Sequence, residues 1–182
     1  MRRRGLVLGL ALVVVLALVA VLAFGLVQAG KRGAPEEQKG RQVLASEISL
    51  PLLVGDGQFK LSELRGVKPV VVNFWFPSCP PCRAEMPDLE RLWKQYQGDV
   101  VLVGVFVPNL VDSEQAARDF LREVGITYPV VTDARSETAL EYGVNGFPTT
   151  VFITRDGVVQ RRCVGYLDAD RILSFTNQLV TG

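Results

Sequence analysis

The sequence contains no histidine and only three cysteines among its 182 residues. Without histidine, neither a Ser-His-Asp triad nor a Cys-His pair can form, because both need an imidazole base. A structural zinc site usually takes four Cys or His ligands, and the sequence supplies three. Haem attachment through Cys-x-x-Cys-His is excluded because Arg83 follows Cys82. Thiol chemistry, carboxylate chemistry and binding remain, and no metal site is predicted.

The net charge of +1 conceals two segments of opposite sign. Residues 1–41 hold seven Lys/Arg and two Asp/Glu, which gives +5, whereas residues 42–182 hold thirteen and seventeen, which gives −4. Such a contrast indicates that the two segments occupy different environments. The acidic body has no basic patch, which argues against binding of nucleic acid.

Residues 1–29 are predicted to be an N-terminal signal anchor. Residues 5–27 carry no polar side chain, and a helix of that length spans about 35 Å, enough for a hydrocarbon core of about 30 Å. A cleaved signal peptide is the alternative, because Val27-Gln28-Ala29 resembles a cleavage site, although its apolar region is usually only about 7–15 residues long. We predict an uncleaved membrane span, a tether over 30–41, and one domain over 42–182 outside the cytoplasm.

The body alternates strand patterns with helical patterns, which predicts an α/β fold with a mixed sheet. Two short strands near its start predict an N-terminal β extension, and Arg155-Asp156-Gly157 predicts a hairpin near its end. Predicted strands cover 48–53, 58–61, 70–75, 100–107, 128–132, 149–154 and 158–164. Predicted helices cover 80–97, 135–142, a segment from Asp112 or Ser113 to 124, and a segment capped by Asp168 to 180.

The motif Cys79-Pro80-Pro81-Cys82 lies between a predicted buried strand and the start of a predicted helix. A helix N-terminus stabilises a thiolate through its free N–H groups and partial positive charge. Cys79 is then the nucleophile that attacks a substrate disulfide, and Cys82 resolves the mixed disulfide. A metal-binding or inert cysteine pair is the alternative, but the sequence offers few further ligands. The motif therefore predicts thiol–disulfide exchange.

Two stretches of sequence resemble the thioredoxin superfamily. The first runs from Val70 through the Cys-Pro-Pro-Cys motif to Met86-Pro87, and the second is Tyr142-Gly-Val-Asn-Gly-Phe-Pro-Thr-Thr-Val-Phe-Ile153. More narrowly, the chain resembles the membrane-anchored TlpA/ResA-like (DsbE/CcmG-like) thiol-disulfide oxidoreductases over residues 43–181. The resemblance implies a thioredoxin fold, a helix kink at Pro87, and a cis bond before Pro148. It also implies that the loop Phe147-Pro148-Thr149 contacts the substrate beside the active-site turn of Ser78, Pro80 and Pro81.

The same resemblance implies a function. The protein would be a single-pass membrane protein that reduces disulfides of exported proteins, such as apocytochrome c, on the periplasmic side. A membrane thiol-transfer protein would re-reduce it, and no cofactor would be needed beyond the Cys79–Cys82 disulfide. An oxidase or isomerase of exported disulfides is the alternative with the opposite direction. A peroxiredoxin is disfavoured because Phe76 stands where those enzymes have Thr, and a Sco-type copper chaperone because no distal histidine exists.

The sequence departs from its relatives at four positions that bear on chemistry. Ser78 replaces the common Trp before the first cysteine, which predicts a smaller and less apolar contact rim. Asn73 stands where thioredoxin has a buried Asp, so that acid–base role is predicted to be empty. Glu85 is interpreted as a solvated helix carboxylate. Pro80 and Pro81 lack N–H groups, which leaves Cys82 as the near backbone donor to the Cys79 sulfur and predicts a reducing pair.

The remaining prominent side chains are predicted to be structural. Cys163 lies in a predicted strand, where a lone cysteine is more often a small packed residue than a reactive one. Phe74, Trp75 and Trp93 are predicted to belong to the core and to helix packing rather than to a cofactor site.

Overall fold

The computed structural model describes residues 36–39 and 43–181. Within them lie eight strands, four α-helices and a short 3-10 helix at Leu61–Leu64. The strands are β1 (Glu36–Lys39), β2 (Ser49–Pro51), β3 (Gln58–Lys60), β4 (Val70–Trp75), β5 (Val101–Phe106), β6 (Val130–Thr132), β7 (Thr149–Ile153) and β8 (Val159–Val164). The helices are α1 (Pro80–Tyr96), α2 (Glu114–Val124), α3 (Glu137–Glu141) and α4 (Ala169–Thr181).

The central sheet has six strands in the order β1-β8-β7-β4-β5-β6. Strands β4, β5 and β6 run parallel, whereas β7, β8 and β1 add to them in antiparallel pairs. β2 and β3 form a separate antiparallel pair. The α/β fold with a mixed sheet is therefore confirmed, and the two-stranded pair corresponds to the predicted β extension.

Strands β4 and β7 are buried along their whole length. Two apolar clusters cover the two faces of the sheet. Trp75 and Met86 belong to one cluster, Phe74 and Tyr142 belong to the other, and Trp93 packs at the edge of the first. Burial on both faces explains why β4 reads as a continuous apolar run. The prediction that Phe74, Trp75 and Trp93 are packing groups is confirmed.

Local sequence signals fix the ends of the helices. The Ser113 hydroxyl accepts a hydrogen bond from Ala116 N at 3.1 Å and caps α2, and Gly125 ends that helix with φ of 74°. A left-handed residue at this position is the usual helix stop. Asp168 accepts from Arg171 N at 2.9 Å before α4, as predicted. Of the two candidates for the α2 cap, Ser113 takes the role and Asp112 points elsewhere.

Residues 36–39 fall inside the segment assigned to the tether. They form β1, which pairs antiparallel with β8 from Glu36 opposite Val164 to Lys39 opposite Arg161. The sheet of the domain therefore begins before residue 42.

The predicted signal anchor over 1–29 lies outside the described residues, and it stays a prediction. Among the helices that the structure describes, none is both long enough and apolar enough to cross a membrane.

Candidate active site

Cys79 and Cys82 lie where β4 leads into α1. The two cysteines form a disulfide, with their Cα atoms 5.3 Å apart. Cys82 is fully buried, and Cys79 keeps 4% of its surface exposed. The first cysteine is thus the one that a substrate can reach, which agrees with its predicted role as the nucleophile.

The Cys79 sulfur occupies the N-cap position of α1. It accepts a hydrogen bond from Cys82 N at 3.2 Å. Pro80 and Pro81 fill the first two helical positions, which suit proline because N–H groups there have no partner within the helix. An N-cap side chain normally accepts from the second or third helical N–H, and here the second belongs to a proline. The prediction that Cys82 is the near backbone donor is confirmed.

Glu85 lies one helical turn beyond Cys82 and is fully buried. Its Oε1 accepts from Asn73 Nδ2 at 2.9 Å and from Thr150 Oγ1 at 3.0 Å, and its Oε2 accepts from Leu167 N at 2.7 Å. The interpretation of Glu85 as a solvated carboxylate is therefore wrong. Three elements distant in sequence enclose it, and a helical periodicity alone cannot show that.

Burial raises the pKa of Glu85 from 4.5 to about 7. The hydrogen bonds from Leu167, Thr150 and Asn73 act in the opposite direction, because they favour the charged form, but they are outweighed by desolvation. A carboxyl with this pKa exchanges its proton near neutral pH. That is the property expected of an acid–base group beside a reactive thiol.

Asn73 connects Glu85 to the neighbouring strand. Its Nδ2 donates to Glu85 Oε1 and also to Thr150 Oγ1 at 3.0 Å, while its Oδ1 has no hydrogen-bond partner among the described residues. Rotating the amide would present Oδ1 to a protonated Glu85. The prediction of an empty acid–base role held for Asn73 itself but missed that α1 supplies the acid instead of β4.

The Phe147–Pro148 loop lies against the active-site turn. The bond between these residues is cis, as predicted. The Phe147 ring packs edge-on against Phe76 at a centroid distance of 4.9 Å. Pro148 O accepts from Gly165 N at 2.8 Å, and Thr149 Oγ1 donates to Gly146 O at 2.7 Å. The role of this loop in substrate contact stays a prediction.

Ser78 is held by a residue that sequence analysis considered only as a helix cap. Ser78 N donates to Asp112 Oδ1 at 3.0 Å, and Ser78 Oγ donates to Oδ2 at 2.5 Å. Asp112 is 5% exposed. No local pattern marks this pair, because the two residues are 34 positions apart.

Cys163 and Pro87 take structural positions. Cys163 is 1% exposed and lies opposite Thr150 in the β7–β8 pairing. Burial raises the pKa of its thiol, so its thiolate is disfavoured, as the structural interpretation predicts. Pro87 lies inside α1; the kink at this position stays a prediction.

No group of three His, Cys, Asp or Glu that is suited to a metal ion occurs within 36–39 and 43–181. The prediction that no metal or cofactor is needed remains a prediction.

A reachable cysteine at a helix N-terminus, a resolving cysteine beneath it and an adjacent cis-proline loop define a thioredoxin-like thiol-disulfide oxidoreductase. The family model described as the AhpC/TSA family matches residues 43–162. The chain belongs to this family.

Curated relatives agree with that class. Thioredoxin-like protein YneN of Bacillus subtilis is 36% identical over 128 residues, which cover 70% of this chain and 72% of YneN. Thiol-disulfide oxidoreductase ResA of Oceanobacillus iheyensis is 34% identical over 127 residues, which cover 69% of this chain and 64% of ResA. Thiol:disulfide interchange protein DsbE of Pseudomonas aeruginosa is 37% identical over 108 residues, which cover 59% of this chain and 56% of DsbE. The similarity to ResA and DsbE thus spans less than two thirds of their lengths.

Solved structures show the same fold. A DsbE-type thiol:disulfide interchange protein from Chlorobium tepidum superposes with a TM-score of 0.70 at 27% identity, over 79% of this chain and 99% of the other. A DsbF homologue from Corynebacterium diphtheriae gives a TM-score of 0.70 at 28% identity, over 79% of this chain and 92% of the other. The predicted thioredoxin-like fold is confirmed.

Proposed function

We propose that the protein is a membrane-anchored reductant of disulfides in exported proteins, with apocytochrome c among its clients. The observation that carries the reducing direction is the single backbone hydrogen bond that the structure describes at the Cys79 sulfur, from Cys82 N at 3.2 Å. Fewer donors stabilise the thiolate less. A less stabilised dithiol gives up its electrons more readily, so the pair is a better reductant.

The reaction proceeds in two exchanges. The Cys79 thiolate attacks one sulfur of a client disulfide, which forms a mixed disulfide and releases the other client sulfur as a thiolate. Cys82 then attacks the Cys79 sulfur, which releases the client's second thiolate and forms the Cys79–Cys82 disulfide. Two electrons pass to the client, and a membrane thiol-transfer protein restores the dithiol.

Glu85 supplies the proton acceptor for the second exchange. Cys82 is buried, so its thiol needs a base before it can attack. Glu85 lies one turn further along α1, and burial raises the pKa of its carboxyl to about 7. The carboxylate form takes the Cys82 proton, and the neutral acid suits the enclosed site that results.

The position of the domain outside the cytoplasm is part of this proposal. Residues 5–27 are apolar throughout, and basic residues flank them on both sides. Names of relatives such as thiol:disulfide interchange protein DsbE support thiol exchange. The anchor explains how a reductant would stay near the membrane protein that recharges it.

The test is reduction of insulin by the full chain in detergent with dithiothreitol, together with redox equilibration against glutathione. We expect catalysis by the wild type, none by Cys79→Ser, and a potential well below the −120 mV or so that is typical of strong oxidants. A potential near that value would favour the oxidase alternative and contradict the proposal. Cys82→Ala, which cannot resolve the mixed disulfide, should retain clients that mass spectrometry then identifies.

A further inference from the structure

We propose that the loop between β5 and α2, residues 108–113, is a docking surface for an apolar side chain that lies beside the client's reacting cysteine. The inference rests on the proposed function and names what the reductant recognises in its client. Its occupant is a segment of extended polypeptide that carries a disulfide and a neighbouring aliphatic or aromatic residue.

The loop is an ordered turn. Asn109 Oδ1 accepts from Val111 N at 2.8 Å and from Asp112 N at 2.9 Å. Asn109 Nδ2 donates in return to Asp112 Oδ2 at 2.7 Å. Side chains at both ends of the turn thus close it, and little conformational entropy remains to be lost when a client binds.

The turn is fastened to the nucleophile. Asp112 accepts from Ser78 N at 3.0 Å and from Ser78 Oγ at 2.5 Å, and Ser78 directly precedes Cys79. At the base of the loop, Val107 N donates to Trp75 O at 3.0 Å. The loop therefore keeps a fixed place beside the sulfur that a client must approach.

The residues that this turn presents are apolar and exposed. Leu110 is fully exposed, and Val111 is 78% exposed. They lie between Asn109 and Asp112, the two residues that close the turn. Ser78 leaves the contact rim without the aromatic ring of its relatives, and Leu110 with Val111 restores apolar surface there from another element.

Client binding is the event that covers this surface. A disulfide can react with Cys79 only if the polypeptide around it lies over the residues next to Cys79. Burying exposed aliphatic side chains is favourable in proportion to the area removed from water. Leu110 and Val111 thus select clients with an apolar residue beside the cysteine, and the surface is continuous with the reacting site.

The preference can be measured as a ratio of kcat/KM for two disulfide peptides that differ by Leu or Ser beside the cysteine. For the full chain in detergent we expect about a tenfold preference for the Leu peptide. In Leu110→Ser/Val111→Ser the preference should fall to about twofold. Val67→Ser is the matched control, because Val67 is 56% exposed and precedes β4, at the end opposite to Cys79, and it should keep the wild-type ratio. Equal ratios in the wild type and the double variant would overturn the inference.

The fastening to Ser78 can be tested through the same ratio. Ser78→Ala removes the Oγ–Asp112 hydrogen bond and should lower the preference about twofold, mainly through KM. Ser78→Thr retains the hydroxyl and should restore the wild-type ratio. A loss in kcat alone, without a change in the ratio, would contradict a positioning role for the pair.

A second measurement separates this inference from the proposed function. A Leu peptide with both cysteines replaced by serine and a benzophenone beside the leucine cannot exchange disulfides, but it can still dock. We expect cross-links to residues 108–113 in the wild type and a loss of at least about fivefold in the double variant. Cross-links without any disulfide reduction would contradict the proposed function alone. Cross-links that avoid this loop would overturn the docking surface, whatever the redox activity.

Discussion

Helix α1 buries two glutamates five residues apart, and their charges are compensated in different ways. Glu90 is 5% exposed, accepts from Thr127 N at 2.8 Å and Thr127 Oγ1 at 2.6 Å, and forms an ion pair with Lys94 at 3.2 Å. Glu85 is fully buried, and the groups described as donating to it are all neutral. A hydrogen-bonded carboxylate with a cation holds the structure together, whereas one without a cation is left free to titrate.

The contrast divides the helix by function. Its first turns carry Cys82 and Glu85 beneath the reacting sulfur, and its later turns connect α1 to the segment before β6 through Glu90 and Thr127. A buried charge costs free energy unless a partner compensates it. The first half of α1 bears that cost where a proton has to move, and the second half avoids it.

The largest expected effect is on the pH dependence of stability. Because the folded pKa of Glu85 is about 7 and the model value is 4.5, the folded protein holds a proton that the unfolded chain has already lost between those values. The free energy of unfolding should therefore be highest below pH 4.5 and fall by about 3 kcal/mol as the pH rises to 7. In Glu85→Gln this decline should disappear in urea denaturation between pH 4 and 8. Parallel pH profiles in the two proteins would contradict a titrating Glu85.

A smaller effect is expected at Glu90. Glu90→Gln removes a charge-assisted hydrogen bond to Thr127 and the ion pair with Lys94, whose side chain is 62% exposed and returns to water. We expect a loss of about 2 kcal/mol in the free energy of unfolding at pH 7, with no change in redox potential. A shift in potential as large as that of an active-site variant would break the division of α1 into two halves.

The smallest effect is expected at the N-terminus of α1. Pro81→Ala restores the second helical N–H, which is one of the two positions from which an N-cap side chain normally accepts. An added donor stabilises the Cys79 thiolate, so the potential should rise by about 30 mV, which corresponds to about 1.4 kcal/mol. Pro80→Ala is the matched control, because the first helical N–H does not face the cap, and it should shift the potential less. Equal shifts would show that proline stiffness, and not the missing donor, sets the potential.

Much of the fold could be predicted from local patterns. The helix predicted over 80–97 is observed at Pro80–Tyr96, and the predicted hairpin is observed as Thr149–Ile153 and Val159–Val164. Apolar runs, caps and turn residues act over a few positions, so they are legible in one sequence. The helix predicted over 135–142 is shorter, at Glu137–Glu141, because its ends lie in turns around Asp133 and Gly143.

The candidate site was only partly legible. The cysteines, the prolines between them and the cis-proline follow from motifs. Glu85 did not, because its donors Thr150 and Leu167 lie 65 and 82 positions away, and helical spacing cannot say which polar residue the sheet will cover. Asp112 was missed for the same reason, since its partner Ser78 reaches it only after β4 and β5 have paired.

The hydrogen bond from Leu167 N to Glu85 Oε2, at 2.7 Å, makes a backbone amide into a built-in spectroscopic reporter. An amide proton that donates to a carboxylate resonates further downfield than one that donates to the neutral acid. The Leu167 resonance should therefore move upfield as the pH falls through the pKa of Glu85, at about 7. Its midpoint, compared between the oxidised and the reduced protein, would read out how strongly the sulfur pair and the buried proton sense each other.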